Sequence, residues 1–398
     1  MQARNLIILV ASQMISATAT ISFVTLGGII GSTMTDNRAL VTLPLSLMIV
    51  AGAATTIPAT MLMRRFGRRY GFMLASCCAA FGMIVGLVAL RQSSFMLFCL
   101  AAMMLGANTA FTLQYRYAAA ESVRPEFVAR AVSFVLLGPI GGAILGKEIA
   151  VRGQGWIDGT PYAGTMAALA VLFVVQALLL FMLREPAAHV DPEVPQTDRP
   201  LGAIVRQPVF LGAVFGGVVA YGVMTLIMTA TPLSMHVNDG FSIEDTGSVI
   251  RAHVLAMYLP SLASGFLIER VGVIRLMIVG AVCIFATSLI GLQGHALMHY
   301  WWALVLLGIG WNFLYIGGTT LLTYTYSIAE RYRAQAVNEF LVFGMSASSS
   351  LLAGTVMFYF GWTTLMVVPI PVLIAIIAAL VYMRRDPLVR RQPIADKG

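Results

Sequence analysis

Long apolar stretches recur along the whole chain and leave little room for any fold other than a set of membrane-spanning helices. Each stretch has about 20 or more residues, enough to cross a bilayer at roughly 1.5 Å per helical residue. With 59% hydrophobic and 11% charged residues, the composition lies outside the range of soluble domains. We therefore predict an all-α polytopic membrane protein with twelve transmembrane helices. They cover approximately residues 6–31, 40–63, 70–90, 94–119, 128–150, 161–183, 208–231, 244–268, 272–294, 299–324, 335–360 and 362–383.

The basic residues predict how these helices are oriented. Most of the 25 Lys and Arg residues lie in loops that are cytoplasmic if the N-terminus is inside, including Arg64, Arg65, Arg68 and Arg69. Cytoplasmic loops of membrane proteins carry such an excess of basic residues. We expect a protein of the bacterial inner membrane with both termini in the cytoplasm. This topology and the lipid bilayer account for the net charge of +8, so no nucleic acid partner is expected.

A polar segment and an internal repeat divide the chain into three predicted parts. Residues 184–206 contain four prolines and seven charged residues, which indicates a cytoplasmic linker. Two landmarks recur at a shift of 205 positions: Gly67 corresponds to Gly272, and Ala131 to Ala336. The sequence therefore predicts two duplicated halves. They are an N-terminal six-helix half (1–183) and a C-terminal six-helix half (207–398), joined by the linker.

Methionine and histidine form two ladders on adjacent predicted helices. Met224 and Met228 lie on helix 7, and His253 and Met257 lie on helix 8. The members of each pair are four residues apart and share one helix face. Thioether sulfur and imidazole nitrogen select copper, above all Cu(I), and a histidine inside the membrane is costly and usually functional. Methionine stripes are also common core filler, so packing remains an alternative for the first pair.

The depths of the four donors follow from predicted helix ends near Thr231 and Glu244. At about 1.5 Å per residue, the donors lie roughly 5 to 20 Å below the periplasmic side. Their predicted order from the outside inwards is Met228, Met224, His253 and Met257. This series predicts a stepwise path for copper as the transported substrate. We expect neither a cofactor nor an enzymatic activity.

Two further sets of residues are secondary candidates. Residues expected in periplasmic loops would capture copper: Met235, His236, His295, Met298 and His299. Polar or charged residues within the spans are expensive in lipid and are assigned to coupling or architecture. They are Arg116, Glu148, Arg251, Asn312 and Glu339. Trp311, beside Asn312, is assigned to packing in preference to lining the route.

Loop motifs in both halves resemble those of the major facilitator superfamily. Residues 60–69 are similar to the family's helix 2 to 3 motif G-x-x-x-D-R-x-G-R-R, although Thr60 replaces the glycine and Arg64 the aspartate. Residues 265–272 are similar to the second-half copy. The resemblance extends over essentially the whole chain. It implies two six-helix halves that expose a central site to each side of the membrane in turn.

Within this superfamily, the chain resembles the CcoA-like copper importers (the CalT group), a group that also contains riboflavin transporters. The resemblance rests on the two ladders and on residues 114–120, 231–236 and 310–323. It implies that both ladders serve copper uptake and that the copper supplies assembly of a cbb(3)-type cytochrome c oxidase. A cytoplasmic copper chaperone or copper-exporting ATPase would act downstream.

Two alternatives to copper import stay open. One is a carrier of a small organic molecule such as riboflavin, which would not need the Met/His ladders. The other is a proton-coupled drug exporter, since GPIGG at residues 138–142 resembles a motif of such exporters. Glycines that let membrane helices pack closely explain the same residues.

Overall fold

The computed structural model describes residues 2–123, 131, 134–135, 137–184, 199–327 and 330–384. The described residues form helices and connecting turns, without a β-strand. The helices are Gln2–Met34 (α1), Leu43–Phe66 (α2), Arg68–Gln92 (α3), Phe95–Thr112 (α4), Tyr115–Glu121 (α5), Gly138–Arg152 (α6), Ala163–Phe181 (α7), Leu201–Val205 (α8), Pro208–Pro232 (α9), Ile243–Tyr258 (α10), Ser261–Val271 (α11), Val273–Gly291 (α12), Leu297–Thr323 (α13), Arg331–Val367 (α14) and Ile370–Met383 (α15).

Nine helical segments of the described chain are long and apolar enough to cross a membrane, and α10 with α11 makes a tenth if this bent pair is one span. The segment Arg333–Met383 contains predicted helices 11 and 12, which meet at the non-helical Gly361. Predicted helix 5 (128–150) begins outside the described residues, and α6 is its described part. The prediction of an all-α polytopic membrane protein is confirmed.

Predicted helix 7 extends further than the sequence suggested. After α9 ends at Pro232, the chain continues as a π-helical segment, Leu233–Asn238, so that the apolar span covers Pro208–Asn238. The α-helix itself ends one residue beyond the predicted Thr231, and the π-helical segment extends the span by six residues. Membrane helices tolerate proline where local π-helical adjustment satisfies the freed backbone groups.

Predicted helix 8 is broken rather than continuous. Its two parts, α10 and α11, are bent by 43° at a break that includes Pro260. Asn312 of α13 stabilises the break, because its Nδ2 donates to the backbone oxygen of Met257 at 2.6 Å and to the hydroxyl of Ser261. The hydroxyl of Ser264 donates to the Asn312 side-chain oxygen at 2.7 Å. In this structure Asn312 therefore has an architectural position.

The two glycines predicted as repeat landmarks adopt the same backbone conformation. Gly67, between α2 and α3, has φ 85° and ψ 159°, and Gly272, between α11 and α12, has φ 85° and ψ 148°. Each amide donates to the carbonyl four residues earlier, of Met63 or Ile268, at 2.9 Å in both cases. Residues with a Cβ rarely adopt this positive φ. The shared turn supports a duplication, whereas the boundaries of the two halves stay a prediction.

The described chain forms two compact units. Unit 1 lies within residues 1–188, 229–254 and 350–358, and unit 2 within residues 189–228, 255–349 and 359–398. In unit 1, α2 packs on α4, where a Cβ at Gly106 would overlap the backbone of Met48. Its helices α1 and α6 meet at Gly142, whose Cβ position lies 2.9 Å from the Thr18 nitrogen. Small residues at these crossings let the backbones approach closely.

In unit 2, α12 and α13 approach each other closely at two glycines. A Cβ at Gly280 would lie 2.8 Å from the Gly310 oxygen, and a Cβ at Gly310 would lie 2.7 Å from the Gly280 oxygen. Real Cβ atoms do not approach backbone atoms this closely. The two glycines therefore set the distance between these helices.

An ion pair fixes the end of the linker within unit 2. The Arg199 guanidinium donates to both carboxylate oxygens of Glu330 at 2.7 Å, and the Ser327 amide donates to the same carboxylate at 2.9 Å. The Glu330 side chain is almost completely buried. The Arg199 guanidinium, followed by the Ser327 amide, holds the pKa of Glu330 well below its usual range.

Acid is expected to release this contact. Because the folded pKa of Glu330 is lowered, the pair stabilises the fold above the ordinary carboxyl pKa of about 4.3 and loses this contribution as the pH falls towards the folded value. Glu330→Gln should therefore accelerate hydrogen–deuterium exchange in residues 199–207 at neutral pH. Wild-type protein should show the same acceleration only in acid, after correction for intrinsic exchange rates. The exposed Glu269, changed to Gln, is the control, and equal exchange in E330Q and wild type at neutral pH would contradict the expectation.

Candidate functional site

Five aromatic side chains from four helices meet inside unit 2, and we call them the aromatic cluster. Tyr221 of α9 is central: its ring centroid lies 4.9 Å from Tyr315, 5.3 Å from Trp311 and 5.7 Å from Phe343, each in an edge-to-face arrangement. Trp311 stacks on Tyr315 at 5.1 Å, and Tyr258 lies 6.2 Å from Trp311. Offset stacking and edge-to-face contacts are the favourable geometries for aromatic pairs.

Local sequence explains how these rings come together. The two cluster residues of α13 are four positions apart and share one helix face. On α9, glycines on both sides of the central tyrosine let α14 approach. A Cβ at Gly217 would lie 3.1 Å from Val342, and a Cβ at Gly222 would lie 2.8 Å from Met345. Because α9 lacks side chains at these two points, Phe343 reaches the cluster from α14.

Polar groups border the aromatic cluster on α9 and α14. One turn along each helix, the hydroxyls of Thr225 and Ser346 hydrogen-bond at 2.8 Å. Tyr315 and Glu339 are both close enough to interact electrostatically with the Tyr221 hydroxyl. Flat apolar faces beside a few convergent polar groups are typical of sites for small organic molecules.

One polar group in the aromatic cluster lacks a partner. The indole nitrogen of Trp311 is buried and has no hydrogen-bond acceptor, although the side chain is only 6% exposed. The adjacent Asn312, by contrast, makes three side-chain hydrogen bonds. Buried donors in native proteins nearly always have a partner, so this N–H needs an explanation.

The predicted copper ladders lie on the helices where the sequence placed them. Met224 is buried and Met228 half-buried on α9, while His253 and Met257 are buried on α10. The predicted depths were counted from a helix end near Thr231, whereas the helical span of Met224 and Met228 continues to Asn238. Met228 lies ten residues, or about 15 Å, from the end of this span. The descending order of the four donors stays a prediction.

The loop predicted to carry Met235 and His236 is the π-helical end of the same span. Met235 is completely buried there, and its role in copper capture stays a prediction. The His236 Nδ1 lies 2.7 Å from the Phe241 backbone oxygen.

The second predicted capture group sits at the start of α13. His295 precedes the helix, and its Nδ1 is 3.0 Å from the Tyr300 hydroxyl. Met298 and His299 belong to the first turn of α13, and the Met298 side chain is exposed. The sequence had placed all three in one loop.

Ion pairs of a buried lysine within unit 1 were not foreseen. The Lys147 ammonium of α6 is 3.2 Å from the Glu244 carboxylate and 3.7 Å from that of Glu148, and its side chain is 9% exposed. Glu148 also pairs with Arg152 at 3.1 Å. Glu148 therefore has a structural role, because it pairs with Lys147, the one buried lysine of the described residues, and with Arg152.

The remaining charged candidates differ in environment. Arg116 is exposed, with its guanidinium 4.9 Å from the Tyr117 ring centroid, and Arg251 is half-buried on α10. Within the described chain, neither arginine joins an ion pair. Glu339 is exposed on α14 beside the aromatic cluster.

The described residues contain no group of three or more His, Cys, Asp or Glu side chains that could hold a metal ion. Of the residues in the aromatic cluster, Trp311 alone has a role predicted from the sequence, and that role is packing. The spacing of Trp311 and Tyr315 was a usable signal, since it places two rings on one face. The other three rings are far apart in sequence and gave no such signal.

Comparisons with known proteins identify the class of protein that this helical fold represents. The family model described as Major Facilitator Superfamily matches residues 6–243 and 213–398. The chain belongs to the major facilitator superfamily and is a membrane protein of the transporter class.

Relatives and solved structures agree with this family. The chain is 37% identical over 379 residues to the riboflavin transporter RfnT of Brucella anthropi, covering 95% of each sequence. It is 29% identical to the uncharacterized MFS-type transporter YdeG of Bacillus subtilis, covering 89% of this chain and 85% of that one. The fold is similar to a bacterial homologue of the human lysosomal transporter Spinster, with a TM-score of 0.74, 15% identity and 96% coverage of both chains. A variant of the nucleoside transporter NupG gives a TM-score of 0.72 at 12% identity, covering 95% of this chain and 99% of that one.

Proposed function

We propose that this protein carries a small planar organic molecule, with riboflavin as the first candidate, and that the aromatic cluster binds its ring system. The observation that carries the proposal is the meeting of five rings beside polar groups inside unit 2. The riboflavin transporter that is 37% identical over nearly the whole chain supports the choice of riboflavin. The alternative that the sequence ranked second thus becomes the leading proposal.

The chemistry of the cluster suits a ligand with a flat ring and a polar chain. Each aromatic pair contributes about 0.5 to 1.5 kcal/mol beyond simple area burial, so ring stacking supplies affinity without needing charge. Four of the five rings are half-buried, which leaves part of their surface accessible. Thr225, Ser346 and Glu339 offer the hydroxyl and carboxylate groups that a polyhydroxyl chain would require.

Transport would follow the alternating access of major facilitator proteins, in which two halves rock around a central site. The distribution of basic residues supports an inner-membrane location with cytoplasmic termini. Glu339 is the proposed coupling residue, because its carboxylate interacts electrostatically with Tyr221 of the aromatic cluster. Substrate binding at the cluster would therefore change the proton affinity of Glu339.

Copper import is the second candidate. It is supported by the buried thioether and imidazole groups of Met224, His253 and Met257, which are soft donors in a membrane span. Under this alternative, copper would be the substrate, and the cbb(3)-type oxidase and the downstream copper proteins would be the partners.

Uptake in riboflavin-requiring cells separates the two candidates. Expression of this chain in a bacterium that can neither make nor import riboflavin should restore growth at low external riboflavin and give saturable uptake of labelled riboflavin. Cellular copper, measured in the same cells, should stay unchanged. A rise in copper without riboflavin uptake would overturn the proposal in favour of copper import.

The methionine ladder provides a variant with opposite expectations. Replacing Met224 and Met228 together by leucine keeps apolar volume, so riboflavin uptake should stay within about twofold of wild type. The copper alternative instead requires sulfur at these positions and predicts the loss of copper accumulation.

A further inference from the structure

The unpartnered indole nitrogen of Trp311 points to a role in substrate recognition. Stacking on Tyr315 fixes the plane of the Trp311 ring, and edge contacts with Tyr221 and Tyr258 hold its position. The N–H therefore has a defined direction within the aromatic cluster. A buried N–H without an acceptor costs free energy, and a hydrogen bond to a bound ligand would remove this cost.

We propose that the Trp311 indole N–H donates a hydrogen bond to an acceptor atom in the plane of the carried ring. This inference rests on the proposed function and deepens it. It restricts the substrate class to heteroaromatic rings with an acceptor at the edge, such as a ring nitrogen or ring carbonyl. Hydrocarbon rings of the same size would stack against the cluster but leave this donor unsatisfied.

A buried donor that pairs only with the ligand discriminates strongly between related ligands. A site that hydrogen-bonds its ligand penalises an analogue without the acceptor, because the buried group then remains unpaired. The neighbouring Asn312, by comparison, satisfies its side-chain groups with three hydrogen bonds. The Trp311 donor is thus assigned to ligand binding rather than to stabilising the fold.

A second tryptophan in unit 2 provides a matched control. Trp362 is also buried, but its indole nitrogen donates to the Gly291 backbone oxygen at 3.0 Å. The same chemical change at the two positions should therefore have different consequences. Removing the donor of Trp362 breaks a hydrogen bond of the fold, whereas removing the donor of Trp311 breaks none in the empty protein.

The test replaces each tryptophan in turn by benzothienylalanine, in which sulfur takes the place of the N–H at nearly constant shape. The full-length purified protein is measured for riboflavin binding and for its melting temperature without ligand. At Trp311, riboflavin affinity should fall roughly five- to tenfold, with an unchanged or higher melting temperature. At Trp362, the melting temperature should fall and riboflavin affinity should stay as in wild type.

Three outcomes would contradict the inference in different ways. Unchanged riboflavin affinity at Trp311 overturns it and leaves the proposed function standing. A melting temperature lowered as much at Trp311 as at Trp362 also overturns it, because the N–H would then stabilise the empty fold, for example by contact with the Tyr221 ring face. Failure of the wild-type protein to bind riboflavin overturns the proposed function itself. The simpler variant Trp311→Phe should weaken riboflavin binding further, since it also loses ring area.

Discussion

Replacing Tyr221 by alanine is expected to lower the initial rate of riboflavin uptake by about tenfold or more. The Tyr221 ring contacts three other rings of the aromatic cluster, and removing it deletes the central stacking surface. A tenfold effect corresponds to a loss of about 1.4 kcal/mol. Two aromatic contacts at the upper end of their range, about 1.5 kcal/mol each, contribute more than this. Uptake of labelled riboflavin, normalised to the amount of protein in the membrane, measures the effect.

Two further variants serve as controls for this result. Tyr221→Phe keeps the ring and removes only the hydroxyl, so its uptake should fall by a few-fold at most. Tyr382→Ala removes a tyrosine that is 77% exposed on α15 and should leave uptake unchanged. If Y221A transported riboflavin as fast as wild type, the aromatic cluster would be a packing feature and the proposed site would be wrong.

Replacing Gly310 by leucine is expected to abolish accumulation of folded protein. The Cβ alone would lie 2.7 Å from the Gly280 oxygen and 2.6 Å from Ile284 Cγ1, so α12 and α13 would have to separate. Overpacking a tight core usually costs about 1 to 3 kcal/mol, and a clash with backbone has less room to relax than one with a side chain. The amount of monodisperse protein after detergent extraction and size-exclusion chromatography measures the outcome.

Gly344 of α14 is the matched control for this substitution. It is also a helical glycine, but a Cβ there would meet no atom within 4 Å. Gly344→Leu should therefore accumulate to nearly wild-type levels. Equal yields of G310L and G344L would show that the glycine pair does not set the spacing of α12 and α13.

The membrane-spanning fold was predictable because its signal is local. Long apolar stretches and basic loops mark spans within windows of about 20 residues, whatever the tertiary packing. The errors occurred where tertiary context overrides a local rule. The helix predicted to end near Thr231 continues through Pro232 as a π-helical segment to Asn238. At Pro260 the break in helix 8 was missed, and Asn312 satisfies the groups that this break exposes.

The candidate site was harder to predict because its members come from four helices. Met224 with Met228, and His253 with Met257, are visible as sequence ladders since each pair lies within one turn. Tyr221 and Phe343 are more than a hundred residues apart, and only the approach of α14 to the glycines of α9 brings them together. The same limit applies to Lys147 and Glu244, whose ion pair no spacing rule could have indicated.

The matching turns at Gly67 and Gly272 separate what the backbone constrains from what it leaves free. A positive φ is a property of the backbone, and mutation of either glycine would strain the turn whatever its neighbours are. Charges beside the turn carry no such constraint: Arg64 lies three residues before Gly67, and Glu269 lies three residues before Gly272. The two turns thus share a dihedral angle and carry opposite charges at the same offset. Distant relatives of this chain should accordingly be easier to recognise by the placement of these glycines than by the charged motif around them.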